Sequence, residues 1–141
     1  PLPFPAAQRY EDIVLEWVEK ITALGIRTIS LADTVGLATP EQVYTVTKSV
    51  IEKYPEIETG VHLHSAPLNS IQKIDAAYKA GCRRFDGALL GIGGCPMADD
   101  DLVGNMNTEQ LITCFSGAGL PLSVNRQALQ ESVNIAKSIF R

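Results

Sequence analysis

Ile13, Val14, Trp17, Val18, Ile21 and Leu24 recur at helical spacing and Gly25 follows them, which predicts an amphipathic helix from about Gln8 to Leu24. Ile26 to Leu31 is short and rich in β-branched residues. It runs into Asp33-Thr34-Val35-Gly36, so a strand leading into a loop is expected. Thr39-Pro40-Glu41-Gln42 opens a second helix: Thr39 caps it, Pro40 takes the first helical position, and Gln42 can reach back to the cap. Val43, Val46, Val50 and Ile51 supply its buried stripe. Glu58 to His64 alternates like a strand, a helix runs from about Ser70 to Ala80 and stops at Gly81, and Arg84 to Leu90 reads as another strand. A glycine loop, Gly91-Ile92-Gly93-Gly94-Cys95-Pro96, comes next. Helices from about Thr108 to Ser116 and about Arg126 to Phe140 complete the chain.

Helices alternating with strands imply parallel βα units, and eight such units closed into a TIM barrel take about 250 residues, or about 31 each. Three strands are too few to close. A three-stranded parallel sheet leaves two edges open, so the expected fold class is α/β, a partial (β/α)8 barrel. Residues 1–141 then supply about the last three βα units and the C-terminal helices, with the N-terminal strands absent from this chain.

Composition narrows the function classes. A chain with 45% hydrophobic and 20% charged residues has material for a real core, which excludes disorder. No apolar run of about 18 residues is present to span a bilayer, and the start PLPFPAAQRYED lacks the basic and apolar regions of a secretory signal. A soluble intracellular protein is expected, cytoplasmic, or in the mitochondrial matrix of a eukaryote, with no membrane partner. Sixteen acidic residues outnumber twelve basic ones, and the absence of a Lys/Arg cluster argues against nucleic acid. Cys82, Cys95 and Cys114 are odd in number and have no CxxC spacing, so each is read as a thiol.

His62 and His64 are the only histidines and lie two apart near the C-terminal end of a predicted strand, so both imidazoles point to the same side. Two neutral imidazoles converging there suit a divalent ion, although a pair of half-buried, hydrogen-bonded histidines has the same pattern. Asp33 ends the preceding strand on the same rim, either as a functional carboxylate or as a turn residue. Gly91, Gly93 and Gly94 form an anion-cradling nest, a flap, or a loop tolerant of positive φ. Cys95, in that loop just past a strand end, can reach the rim, whereas Cys82 and Cys114 fall among helical and core residues. Asn105 can add an amide oxygen to a metal. Asp99, Asp100 and Asp101 are adjacent and do not converge, so they read as a solvated turn. Arg83 and Arg84, at the start of a strand, read as surface charges.

The segments Ser30-Leu31-Ala32-Asp33-Thr34-Val35-Gly36, Val61-His62-Leu63-His64, Gly91-Ile92-Gly93-Gly94-Cys95-Pro96 and Gly104-Asn105 together resemble the 3-hydroxy-3-methylglutaryl-CoA lyase family, metal-dependent TIM-barrel enzymes of the pyruvate carboxyltransferase-like superfamily. The likeness covers nearly the whole chain. The HxH and Asp-Thr-x-Gly segments are shared with related synthases, and the Gly-Gly-Cys-Pro loop is specific to the lyases. The resemblance implies that His62, His64 and Asn105 ligate magnesium or manganese, that Cys95 protonates the departing enolate, that Asp33 assists proton transfer, and that Gly93 and Gly94 belong to the substrate loop. Three departures stand out: Ser65 follows the HxH in place of Asp, the loop from Cys95 to Asn105 is one residue longer, and the family's Asp-Arg-Glu segment is missing from these residues.

The resulting expectation is a carbon–carbon lyase that cleaves 3-hydroxy-3-methylglutaryl-CoA to acetoacetate and acetyl-CoA. It would act on an acyl-CoA substrate as a homo-oligomer or joined to the N-terminal part of its barrel, and these residues alone would be inactive. The alternatives are a related Claisen-type synthase or aldolase, or a non-catalytic barrel fragment that needs a separate N-terminal half.

Overall fold

A computed structural model describes residues 6–93 and 103–140, apart from the side chains of residues 6–9, 67 and 68. The elements follow in the order α1 (Ala6–Ala23), β1 (Thr28–Asp33), α2 (Pro40–Lys53), β2 (Glu58–Leu63), α3 (Pro67–Lys79), β3 (Arg84–Asp86), a 3-10 turn (Leu89–Gly91), α4 (Thr108–Gly117) and α5 (Arg126–Ile139). The strands form one parallel α/β sheet in the order β1-β2-β3. None of the helices among the described residues is long and apolar enough to cross a membrane. Two compact units divide the chain: Pro1–Ala32 with Ala38–Val61 and Gln72–Phe85, and Asp33–Leu37 with His62–Ile71 and Asp86–Arg141.

In the first unit, Val18, Val50, Tyr54 and Ile57 form a buried cluster, and Val14, Leu15, Ile29 and Leu31 pack against it. The face of α1 turned inward is therefore Val14, Leu15 and Val18. Ile13 and Trp17, expected on the apolar face, are exposed, because α1 carries apolar residues on two faces and only one meets this cluster, and Leu24 is exposed just past the helix end. The capping box of α2 forms as its sequence requires: the Gln42 amide donates to Thr39 Oγ1 at 3.2 Å, and the Thr39 amide donates to Gln42 Oε1 at 2.8 Å. Thr47 joins Val43 and Val50 on the buried face, where Val46 and Ile51 are only half-buried.

Arg84 departs from the surface role expected of it. Its Nη2 donates to Ser30 Oγ at 2.8 Å, and its guanidinium lies so close over Gly60 that a Cβ there would approach Arg84 Cζ to 2.7 Å. Gly60 thus leaves room for a planar cation across the sheet. Arg83 stays exposed. Cys82 is fully buried, with its thiol 3.1 Å from the Arg84 carbonyl oxygen, as a core cysteine should be.

The expected strand from Arg84 to Leu90 is cut short at Asp86. A Cβ at Gly87 would meet Leu111 Cδ1 at 2.8 Å and the Met106 carbonyl oxygen at 2.9 Å, so the backbone passes tightly under α4. The Ala88 amide then donates to the Met106 carbonyl and the Ala88 carbonyl accepts from the Thr108 amide, an isolated parallel bridge, before the chain turns into the 3-10 segment. Asn107 caps α4 through the Gln110 amide, and Asn125 caps α5 through the Ala128 amide, both at 3.0 Å. Gly94, Cys95 and Asp99 to Asp101 lie outside the described residues.

Candidate functional site

Alternation along β2 sends His62 and, one step past its end, His64 to the same side. The two imidazoles meet edge to face, with Nε2 of one 3.3 Å from Nε2 of the other. They differ in setting: His64 is buried, and His62 is half-exposed. His64 Nδ1 lies 3.2 Å from the Val103 carbonyl oxygen. A carbonyl only accepts, so Nδ1 carries the hydrogen, and in the neutral ring Nε2 of His64 keeps the lone pair. Nδ1 of His62 is 3.8 Å from Asp86 Oδ2, a reach suited to an ion pair and too long for a direct hydrogen bond.

The remaining site residues are gathered by backbone hydrogen bonds. The Asp33 carbonyl accepts from the amides of Gly36 at 3.1 Å and His64 at 3.2 Å, which fixes the end of β1 beside the end of β2. Gly36 has φ of +71°, and a Cβ there would meet Val103 Cγ2 at 2.9 Å, so the Asp33-to-Gly36 turn needs glycine for both conformation and space. Asn105 pairs with His64 through an isolated antiparallel bridge. Its Nδ2 donates to the carbonyls of Ile92 at 2.8 Å and Gly93 at 3.2 Å, which commits the amide nitrogen and leaves Oδ1 as the atom able to meet a cation. Gly93, with φ of +92°, is also the acceptor for the Asn105 backbone amide.

Two imidazole nitrogens bound to one ion at about 2.1 Å, at angles between square and tetrahedral, stand about 3.0–3.4 Å apart. The observed 3.3 Å falls in that interval. The same contact is a hydrogen bond when His62 carries its proton on Nε2, and a pair of lone pairs facing one cation when that proton sits on Nδ1 beside Asp86. The donor set therefore fits a divalent ion held by nitrogen and amide oxygen. Among the described residues no group of three or more His, Cys, Asp or Glu could hold a metal, and the two imidazoles with the Asn105 amide oxygen would by themselves be an incomplete ligand set.

The structure brings His62, His64, Asn105, Gly93 and the end of β1 into one neighbourhood. Asp86 and Val103 were not anticipated. Asp86 was hidden because Arg84 to Leu90 reads as one strand, and Val103 acts through its carbonyl, which no side-chain pattern announces.

Comparison with known proteins assigns the chain a family. The family model described as HMGL-like matches residues 5–136. The chain belongs to the HMGL-like family. Over 111 residues it is 38% identical to the (R)-citramalyl-CoA lyase of Chloroflexus aurantiacus, covering 79% of this chain and 35% of that protein. Over 119 residues it is 32% identical to the mitochondrial hydroxymethylglutaryl-CoA lyase of Bos taurus, covering 84% and 36%. The HMGL-like chain thus spans about a third of the length of these curated relatives. Among solved structures it is similar to an HMG-CoA lyase from Acinetobacter baumannii in complex with coenzyme A and 3-methylmalate, with 38% identity, a TM-score of 0.76, and coverage of 85% of this chain and 39% of that one. The α/β sheet and helices described above match part of the TIM barrel of this HMGL-like lyase family.

Proposed function

We propose that the complete protein carrying this chain is a carbon–carbon lyase that cleaves 3-hydroxy-3-methylglutaryl-CoA to acetoacetate and acetyl-CoA. The observation that carries this reading is the convergence of His62 Nε2 and His64 Nε2 at the end of β2, 3.3 Å apart, in a member of the HMGL-like family. Magnesium or manganese, held by His62, His64 and Asn105, would supply Lewis-acid stabilisation of the oxyanions that develop as the bond breaks.

The chain's own residues handle protons and position. In the reaction the substrate hydroxyl loses its proton, the oxygen electrons form the ketone, and the bond to the thioester α-carbon breaks to leave the acetyl-CoA enolate. Asp33, at the end of β1, serves proton transfer from the hydroxyl. Cys95 delivers the proton that converts the enolate to acetyl-CoA, and Gly93 and Gly94 belong to the substrate loop. His64, locked by its bond to Val103, fixes the site on the chain. Solvent has to be kept from the enolate, a task for the closed barrel and any copies that assemble around it.

A second reading has a specific observation in its favour. The 38% identity to a citramalyl-CoA lyase exceeds the 32% to the bovine hydroxymethylglutaryl-CoA enzyme, so citramalyl-CoA is the competing substrate. Both thioesters carry a tertiary alcohol that the same chemistry cleaves, and both release acetyl-CoA. Steady-state cleavage of each thioester by the full-length protein with manganese distinguishes them. The proposal expects the higher kcat/KM on 3-hydroxy-3-methylglutaryl-CoA; preference for citramalyl-CoA replaces the substrate while keeping the chemistry, and cleavage of neither refutes the lyase reading.

A further inference from the structure

Leu90 is the one non-glycine residue with positive φ among the described residues, at φ 60° and ψ 8°. A leucine seldom enters this left-handed region, because its Cβ crowds the following carbonyl. Such a conformation persists only where surrounding bonds over-determine it. Here the bonds come from Glu109, in the first turn of α4: the Leu90 amide donates to both carboxylate oxygens, at 3.2 Å to Oε1 and 3.1 Å to Oε2. A charged acceptor makes this a strong hydrogen bond.

The constraint continues along the backbone. The amides of Gly91 and Ile92 donate to the carbonyls of Ala88 and Leu89, so the turn is closed on both sides of Leu90. The next two residues, Ile92 and Gly93, present the carbonyls that accept both Asn105 Nδ2 hydrogens. A Cβ at Gly104 would approach the Gly91 carbonyl oxygen to 2.6 Å, and one at Gly91 would approach the Asn105 carbonyl oxygen to 2.9 Å. The two backbone segments therefore lie against each other with no slack. A rotation at Leu90 displaces the Ile92 and Gly93 carbonyls, and the amide they hold turns with them.

We infer that Glu109 is a positioning residue for the metal site: by holding Leu90 in its left-handed conformation, it sets the carbonyls of Ile92 and Gly93 that aim Asn105 Oδ1. This inference rests on the proposed role of Asn105 as a ligand. Glu109 itself touches neither substrate nor ion in this account. Its carboxylate is engaged by the Leu90 amide, so its effect would reach the ion through Leu90, the carbonyls of Ile92 and Gly93, and the Asn105 amide.

Manganese affinity of the full-length protein, read by the electron paramagnetic resonance of free Mn2+, tests it without reference to turnover. Glu109→Ala should weaken binding by about tenfold, the lower end of what outer partners of metal ligands contribute. Adding Leu90→Gly should restore affinity to within about threefold of the parent, because glycine takes positive φ without steric cost and no longer needs the carboxylate. A purely structural Glu109 would give no such recovery. If the alanine variant does not fold, Glu109→Gln with and without Leu90→Gly carries the same comparison, with a smaller loss and the same recovery. Unchanged affinity in the Glu109 variants overturns the inference, and so does a loss that Leu90→Gly fails to restore. Asn105→Ala separates the two levels: if it alone leaves affinity unchanged, Asn105 is not a ligand and the positioning role falls with it, whereas a loss there beside parental affinity in Glu109→Ala removes only the positioning role.

Discussion

His62 and His64 hold their Nε2 atoms 3.3 Å apart while their Nδ1 atoms face different surroundings, the Asp86 carboxylate for one and the Val103 carbonyl for the other. One histidine is therefore built into the fold and the other is poised at its surface. Alanine at His64 removes a buried ring and leaves the Val103 carbonyl without that donor, which should cost about 1–3 kcal/mol of folding stability. Alanine at the half-exposed His62 should cost less than about 1 kcal/mol. Urea denaturation of both metal-free variants checks the order, and equal losses would remove the distinction.

A third residue fixes the ground between the two strand ends. At Gly36 the backbone has φ of +71°, with Val103 Cγ2 2.9 Å and the His64 carbonyl oxygen 3.1 Å from where a Cβ would stand. Gly36→Ala should destabilise the protein by about 1–3 kcal/mol, combining left-handed strain with displacement of Val103. It should also weaken metal binding, since Val103 orients His64. Thermal unfolding and manganese titration on the same variant would show both effects together; a drop in stability alone would mean that the His64–Val103 bond adjusts without consequence.

The three thiols should separate cleanly. Cys95→Ser should lower turnover of 3-hydroxy-3-methylglutaryl-CoA by about 10²-fold, the scale for losing a positioned acid, with metal affinity close to parental. Cys82, buried with its thiol 3.1 Å from a carbonyl oxygen, and Cys114, half-buried on α4, should affect stability by about 1 kcal/mol and turnover hardly at all when changed to serine. Near-parental turnover in Cys95→Ser would make the thiol incidental and favour a synthase or aldolase.

The parts of the molecule that were legible in the sequence are those governed by local rules. The capping box at Thr39, the helix stops at Gly25 and Gly81, and the shared side of His62 and His64 depend on spacing and backbone chemistry alone. The errors are tertiary. Ile13 and Trp17 share a helix with Val14 and Val18, and periodicity cannot say which of two apolar faces meets Val50 and Tyr54. Arg84 looked like a surface charge because nothing in one strand reveals that Gly60, on its neighbour, clears space for a guanidinium. The strand read as Arg84 to Leu90 ends at Asp86 because Met106 and Leu111, some twenty residues on, press against Gly87. Glu109 carries no local sequence signal of its role, since its engagement with Leu90 spans nineteen positions.

The central claim is that His62 and His64 together hold a divalent ion, and calorimetric titration of manganese into the full-length protein and its His62→Ala and His64→Ala variants tests it most directly. Removing one nitrogen from a site with few ligands leaves the shell incomplete, so each variant should bind at least about 10-fold more weakly than the parent. Parental affinity in both variants would contradict the account, because the 3.3 Å approach of the two nitrogens would then be only a hydrogen bond between neighbouring histidines.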